Sequence, residues 1–332
     1  MTRIAILGGG SWGTALALVL SRSPRQHEIA LWIHDAALAE EIRHKGENVT
    51  HLPSHKLSEQ IRVTHNIRDA AEGAAIIVGA MPSAYAREVY SSATPGVAPR
   101  TIVVSATKGL ERDTHLRMSE VIAASLPLAT TPRVAVLSGP SFALEVAQGV
   151  PTAVVLASQD AALAAQLQTE FAAPNLRLYT NDDVLGVELA GAMKNVIAIA
   201  AGVCQGLGSN PLAALITRGL AEMTRLAVSL GARPETLSGL AGLGDLVLTC
   251  TGSLSRNRRL GIELLKGRSL AETLATVHGV AEGVSSVTAL LMLAKEKQID
   301  LPVTEQVDAI LHRGKKPLEA LREVMERPLR RE

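Results

Sequence analysis

Short runs rich in β-branched residues alternate with amphipathic stretches through the first half of the chain. The runs fall at 4–7, 29–33, 62–65, 76–80, 102–105, 134–137 and 153–157. Between most of them lie segments with helical spacing, such as 36–45 and 83–92. Continuous apolar runs read as strands covered on both faces, and strand–helix alternation predicts a parallel α/β sheet. After Tyr179 the strand signals stop. From Asn181 onward, long Ala/Leu-rich helical periods are broken by Gly-rich turns at 206–209, 239–244 and 252. The change divides the chain into an α/β domain, 1–182, and an all-α domain, 183–332. A length of 332 residues agrees, because single cores tend to split beyond roughly 250–300 residues.

Composition narrows the function classes. Aromatic residues make up only 2% of the chain, 2 Trp, 3 Tyr and 2 Phe, so Ala, Leu and Val must fill the core. Single-strand nucleic-acid binders need aromatic platforms, and membrane-interface belts need Trp and Tyr. A net charge of +1 gives no field for a nucleic-acid backbone. Cys204 and Cys250, the only two cysteines, cannot build a disulfide framework or a four-cysteine zinc site, and no metal is expected. The N-terminus runs from Met1-Thr2-Arg3 straight into a strand pattern, unlike a signal peptide. The apolar tract near 184–204 is interrupted by Glu188, Lys194 and Asn195, which argues against membrane insertion. These features predict a cytoplasmic protein.

The first apolar run leads into Gly8-Gly9-Gly10-Ser11-Trp12-Gly13, a Gly-x-Gly-x-x-Gly loop, and a helical pattern follows at once. In a dinucleotide site Gly8 makes the tight turn, Gly10 lets a pyrophosphate approach, and Gly13 packs helix against strand. The helix N-terminus offers unpaired N–H groups to phosphate. Trp12 suits cofactor contact or core packing equally. The second strand ends in Leu31-Trp32-Ile33-His34-Asp35. No acid stands at its tip, where NAD-selective proteins usually carry one. His34 can accept a 2′-phosphate or be a plain loop residue, and the balance favours NADP(H) with NAD tolerated.

Lys194 lies in a helical segment, 187–201, of almost wholly small or apolar residues. A lysine is rarely buried without a partner or a task; the alternative is a lysine that snorkels from a buried helix to the surface. Desolvation lowers its pKa and prepares it for proton transfer. Gly191, on the adjoining face, would open room for a ligand beside it. Lys108 follows the strand at 102–105, and ligands gather at such strand ends. Asp245 either orients Lys194 or simply begins a helix. The turn with Arg256, Arg258 and Arg259 is a phosphate site or a solvated basic face. The turn Ser138-Gly139-Pro140-Ser141-Phe142-Ala143 is an anion site or a Pro-stabilised connection.

Taken together these strings resemble the bacterial NAD(P)-dependent sn-glycerol-3-phosphate dehydrogenases. The matching pieces are Gly8–Gly13, Lys108-Gly109-Leu110, Ser138–Val146, Glu188–Val196, Gly242–Leu246, Ser255–Arg258 and Ala281-Glu282-Gly283, spread over nearly the whole chain. Leu52-Pro53-Ser54-His55 departs from a more usual Leu-Pro-Gly turn, and Ser285 from a different residue after Glu282-Gly283. The resemblance implies a Rossmann-type N-terminal domain, an all-helical C-terminal domain and a site between them. It implies reversible reduction of dihydroxyacetone phosphate, feeding glycerophospholipid synthesis, with Lys194 as proton donor and acceptor. Lys108, Gly139, Ser141, Lys194, Asp245, Ser255, Arg256 and Asn257 match substrate-binding positions. Gly8, Gly10, Ser11, Trp12, Gly13, His34, Lys108, Ala143, Arg256, Val280 and Glu282 fall at cofactor positions, for NADPH/NADP or NADH/NAD. Asn195 and Asp245 would hold the lysine and substrate hydroxyls, and Arg256 and Asn257 the phosphate. The partner is thus a small phosphorylated substrate, not nucleic acid, and a homodimer is compatible with the resemblance.

Two rival readings remain at this level. One is a β-hydroxyacid or phosphogluconate type dehydrogenase, with the same loop and a Lys-Asn pair. The other is a nucleotide-sensing regulator, which should carry a partner-binding module. Trp12, Trp32 and Phe142 fall in ligand-facing segments, so the scarce aromatics are expected to wall the site.

Overall fold

The computed structural model describes residues 1–126, 133–276 and 281–326. Eight strands form one sheet: β1 (Arg3–Leu7), β2 (Glu28–Trp32), β3 (Ile61–Thr64), β4 (Ile76–Gly79), β5 (Ile102–Ser105), β6 (Arg133–Ser138), β7 (Thr152–Ala157) and β8 (Leu176–Asn181). Their spatial order is β3-β2-β1-β4-β5-β6-β7-β8. The order reverses between β1 and β4, the switch point at which such sheets open a crevice for ligands.

Two features differ from the sequence expectation. The sheet is not wholly parallel, because β7 runs antiparallel to β6 while pairing parallel with β8. A buried strand shows the same apolar run in either direction, so orientation left no mark on the pattern. The strand β8 was also not expected. Only Leu176 and Leu178 turn inward from it, and Arg177, Tyr179 and Thr180 face out, too little alternation to stand above a loop.

Apolar residues cover both faces of the sheet. One face packs Ile4, Ile6, Leu31 and Val104 against Leu16 and Leu20 of the Ser11–Ser21 helix. The other packs Leu7, Ile77 and Val103 against Val89, Tyr90 and Ile122. The second half is built around the helix Val184–Val203, buried along nearly its whole length. It is long and apolar enough to cross a membrane by length and composition, yet 89% of that window is buried inside the fold. Its small side chains let the helices Ser209–Ser229, Asp245–Thr251, Arg256–Leu265 and Glu282–Glu296 pack closely around it. At Gly202 and Gly261 the crossing is so tight that an added Cβ would overlap the opposite backbone. That crossing brings the start of the Arg256–Leu265 helix against Asn195, where Asn257 meets it.

Candidate active site

Where β1 ends, Gly8 turns the chain with φ +123°, and a Cβ there would lie 2.8 Å from the Ala80 carbonyl. Gly13 rests on the Gly8 carbonyl, so no side chain fits between helix and strand. Gly10 differs, because the space in front of its Cα is open. Gly10 is also the N-cap of the Ser11–Ser21 helix and gives no side-chain cap. The first-turn N–H groups therefore face an open cradle suited to an anion, and the loop fits a dinucleotide. The 47–56 loop braces it. Asn48 Nδ2 donates to the Gly9 carbonyl at 2.8 Å and to Thr14 Oγ1 at 2.9 Å, and Ser11 Oγ donates to the His51 carbonyl at 2.7 Å. Trp12 packs on the core edge, and its Nε1 is buried without a partner among the described residues.

At the tip of β2, His34 is exposed and meets Trp32 edge-on at 5.8 Å. Asp35 caps the Ala36–Lys45 helix, accepting from Leu38 N at 2.8 Å. Trp32 does not wall a site. It is buried in the sheet's core and donates from Nε1 to the His65 carbonyl at 3.0 Å. Phe142 is partly buried, its ring against Gly252.

Lys194 and Lys108 meet at Asp245. Lys194 Nζ donates to Asp245 Oδ1 and to Thr249 Oγ1, both at 2.8 Å. Lys108 Nζ donates to Asp245 Oδ2 at 2.7 Å and to the Gly139 carbonyl at 2.8 Å. Each carboxylate oxygen thus takes one ammonium. Thr249 spends its proton on the Asp245 carbonyl at 2.6 Å, which leaves an oxygen lone pair for Lys194. Asp245 starts the Asp245–Thr251 helix directly after a single π-turn, Leu240–Gly244, and such turns recur at functional sites.

Burial decides the electrostatics. Lys194 is 6% exposed and Asp245 1%. Desolvation lowers the Lys194 pKa, Asp245 opposes this and Lys108 adds to it, leaving the ammonium at about 8. Burial resists ionisation of Asp245, but the two lysines outweigh it and hold the carboxyl below its ordinary range. Two cations around one carboxylate leave the cluster with a surplus positive charge, suited to an anionic substrate. An ammonium has three donors, so two bonds leave one Lys194 N–H free of these contacts.

The neighbouring side chains are arranged differently from the sequence expectation. Asn195 does not hold Lys194. It donates to the Gly191 carbonyl at 3.1 Å and accepts from Asn257 Nδ2 at 3.0 Å, while Asn257 Oδ1 accepts from Gly283 N at 3.2 Å. The room at Gly191 is taken by the Lys108 stem and Ser138 Oγ. Ser255 is the N-cap of the Arg256–Leu265 helix, accepting from Arg258 N. Ser141 Oγ donates to the Gly139 carbonyl at 2.9 Å, and Ala143 opens the short Ala143–Gln148 helix. Glu282 reaches across to β4's end, where its carboxylate accepts from Ser83 N at 2.9 Å and Ser83 Oγ at 2.6 Å. Arg256 is solvent-exposed and within electrostatic reach of Glu282 and His51. Val280 lies outside the described residues. His51, Ser83 and Thr249 went unnoticed in the sequence, since each acquires its neighbours only through folding. Among the described residues no group of three or more His, Cys, Asp or Glu is placed to hold a metal ion.

Comparison with known proteins covers the whole length. The profile described as NAD-dependent glycerol-3-phosphate dehydrogenase N-terminus matches residues 3–164, and its C-terminus counterpart residues 183–322. Among curated relatives, glycerol-3-phosphate dehydrogenase (NAD(P)+) of Acidobacterium capsulatum is 53% identical over 345 aligned residues, covering 100% of both chains. That of Koribacter versatilis is 50% identical over 331 residues, 99% of this chain and 98% of the relative. The crystal structure of glycerol-3-phosphate dehydrogenase from Coxiella burnetii superposes with a TM-score of 0.93 at 42% identity, covering 98% of this chain and 99% of the other. A ketopantoate reductase from Ralstonia eutropha shares the fold alone, with a TM-score of 0.61 at 16% identity over 96% of this chain and 100% of its own.

Proposed function

The chain belongs to the NAD-dependent glycerol-3-phosphate dehydrogenase family, and from that premise we propose that it reversibly reduces dihydroxyacetone phosphate to sn-glycerol 3-phosphate, with Lys194 as proton donor and acceptor. The bound nicotinamide supplies or takes up the hydride. Gly8, Gly10 and Gly13 with the uncapped helix N-terminus would hold the pyrophosphate, and His34 would face the adenosine ribose. The Asp35 carboxylate is engaged as a helix cap, which supports use of NADPH as well as NADH.

The observation that carries the reading is the Lys194–Asp245–Lys108 cluster, buried at Lys194 and Asp245, with one unengaged N–H on Lys194. As hydride reaches the substrate's C2 carbon, negative charge grows on the carbonyl oxygen. The Lys194 ammonium stabilises that charge and delivers its proton. In the reverse direction the neutral amine removes the hydroxyl proton. Asp245 keeps the ammonium available near neutral pH and fixes its direction. Acid–base help of this kind is worth about 10²–10⁴-fold. Arg256 would bind the substrate phosphate and Asn257, oriented by Asn195 and Gly283, would add a donor. Anchoring that remote group orients the carbonyl. Lys108 brings a second positive charge to the same side. The reading extends to a cytoplasmic enzyme that forms a homodimer, which sedimentation would check.

Substrate competition tests the proposal. Oxidation of glycerol 3-phosphate should far exceed that of 3-hydroxyisobutyrate and 6-phosphogluconate. A preference for either of the latter would transfer the chain to a neighbouring dehydrogenase class.

A further inference from the structure

Glu188 sits on the same helix as Lys194, less than two turns before it, yet its carboxylate points to a different element. Residues 106–117 form a strap between β5 and the Met118–Ser125 helix. The strap carries Lys108, passes Gly109 at φ +150° and inserts Leu110 into the core of the helical domain. It then folds back, so that Leu110 bridges Arg117. Three donors, from Arg117 at the strap's far end and from Ser119 just beyond it, converge on Glu188, which is 7% exposed. Arg117 Nη1, Ser119 N and Ser119 Oγ each approach it at 2.7 Å. The near end is tied by Lys108 to Asp245 and the Gly139 carbonyl. Between the two ties, the Lys108 stem passes over Gly191, where an added Cβ would stand 3.6 Å from it. One helix therefore supplies the far clamp, a surface along the stem and the lysine beside which the stem ends.

Resting on the assignment of Lys108 and Lys194 to the reaction, we propose that Glu188 is a positioning residue that sets Lys108 against Asp245 by clamping the far end of this strap. It touches neither substrate nor cofactor and acts through Arg117 and Ser119. The Met118–Ser125 helix keeps its own start without it, because Glu120 accepts from Arg117 N at 2.9 Å and from Arg117 Nη2 at 2.8 Å. Loosening the clamp lets Lys108 drift from Asp245. Lys194 then loses a like-charged neighbour that lowers its pKa.

The test compares wild type, Glu188→Gln, Lys108→Ala and the double variant in steady-state reduction of dihydroxyacetone phosphate across pH, with thermal melting alongside. Glu188→Gln should lower kcat/KM about ten-fold or more, the usual scale for one charged hydrogen bond, and should lower melting as well, because it breaks a buried ion pair. In the Lys108→Ala background it should cost less than about two-fold more, as coupled residues do not add. It should also move the alkaline limb of the pH profile upward, as Lys108→Ala does. Arg117→Lys weakens the same clamp and should reproduce this pattern if Glu188→Gln folds poorly. Equal losses in both backgrounds, or wild-type kinetics with an unmoved limb, overturn the clamp alone. Wild-type kinetics in Lys108→Ala overturn the underlying assignment and the clamp with it.

Discussion

Asp245→Asn is the perturbation that separates charge from shape at the centre of the site. The substitution keeps the side chain's size but removes the one negative charge between the buried Lys194 ammonium and the half-buried Lys108 ammonium, held at 2.8 Å and 2.7 Å. Charge centres about 4 Å apart at an effective dielectric of about 20 interact by about 4 kcal/mol, which is about three orders of magnitude in a protonation equilibrium. With Asp245 present the Lys194 pKa is about 8, so the ammonium is the main form at neutral pH. Without it, the ammonium falls to a minor species, on the order of one molecule in 10²–10³. Reduction requires that ammonium and should slow by about 10²-fold at neutral pH. The assay is cofactor absorbance with dihydroxyacetone phosphate across pH, because kcat/KM reports groups of the free enzyme. Wild-type reduction should fall as pH rises through about 8, and oxidation should rise through the same value. In the variant the reduction limb should move to lower pH. An unmoved limb with a wild-type rate at neutral pH would refute the electrostatic argument. Melting should also fall, since breaking a buried pair costs about 3–5 kcal/mol.

Other consequences follow from single residues. Arg256→Ala should raise KM for dihydroxyacetone phosphate by about 10–100-fold, the scale of one or two charged hydrogen bonds; an unchanged KM would place the phosphate elsewhere. Glu222 accepts from Val303 N, Thr304 N and Thr304 Oγ1, and burial pushes its carboxyl up to about 7 from 4.5. Because the folded-state value is raised, wild type should lose stability relative to Glu222→Gln as pH climbs from about 4.5 to about 7, by on the order of 3 kcal/mol; parallel denaturation curves across that window would contradict this. Ser54 adopts φ 66°, so Ser54→Gly should leave stability equal or raise it by up to about 1 kcal/mol, read as the urea midpoint.

What the sequence disclosed was what local pattern encodes. The glycine loop is local, and its strand, turn and helix stand where the spacing placed them. The burial of Lys194 was also legible, because small apolar residues surround it on every helical face. Partnerships across the chain were not. Asn195 is next to Lys194 in sequence, but one residue turns it about 100° around the helix, towards Asn257. Gly191 announced space without saying that the stem of Lys108 fills it. Glu188 looked like one more polar break in an apolar helix, since Arg117 and Ser119 reach it only through the folded strap. The aromatic count misled at Trp32, whose indole finds its hydrogen bond within the sheet's own core.

The central claim is that Lys194 carries the proton of a dihydroxyacetone phosphate reduction. Its most direct test is the single-turnover rate of NADPH and NADH oxidation with dihydroxyacetone phosphate, compared between wild type and Lys194→Ala, with cofactor affinity measured beside it. The account predicts rapid turnover in wild type and a loss of at least about 100-fold in the variant, with cofactor affinity little changed. A near-normal rate in Lys194→Ala would contradict it.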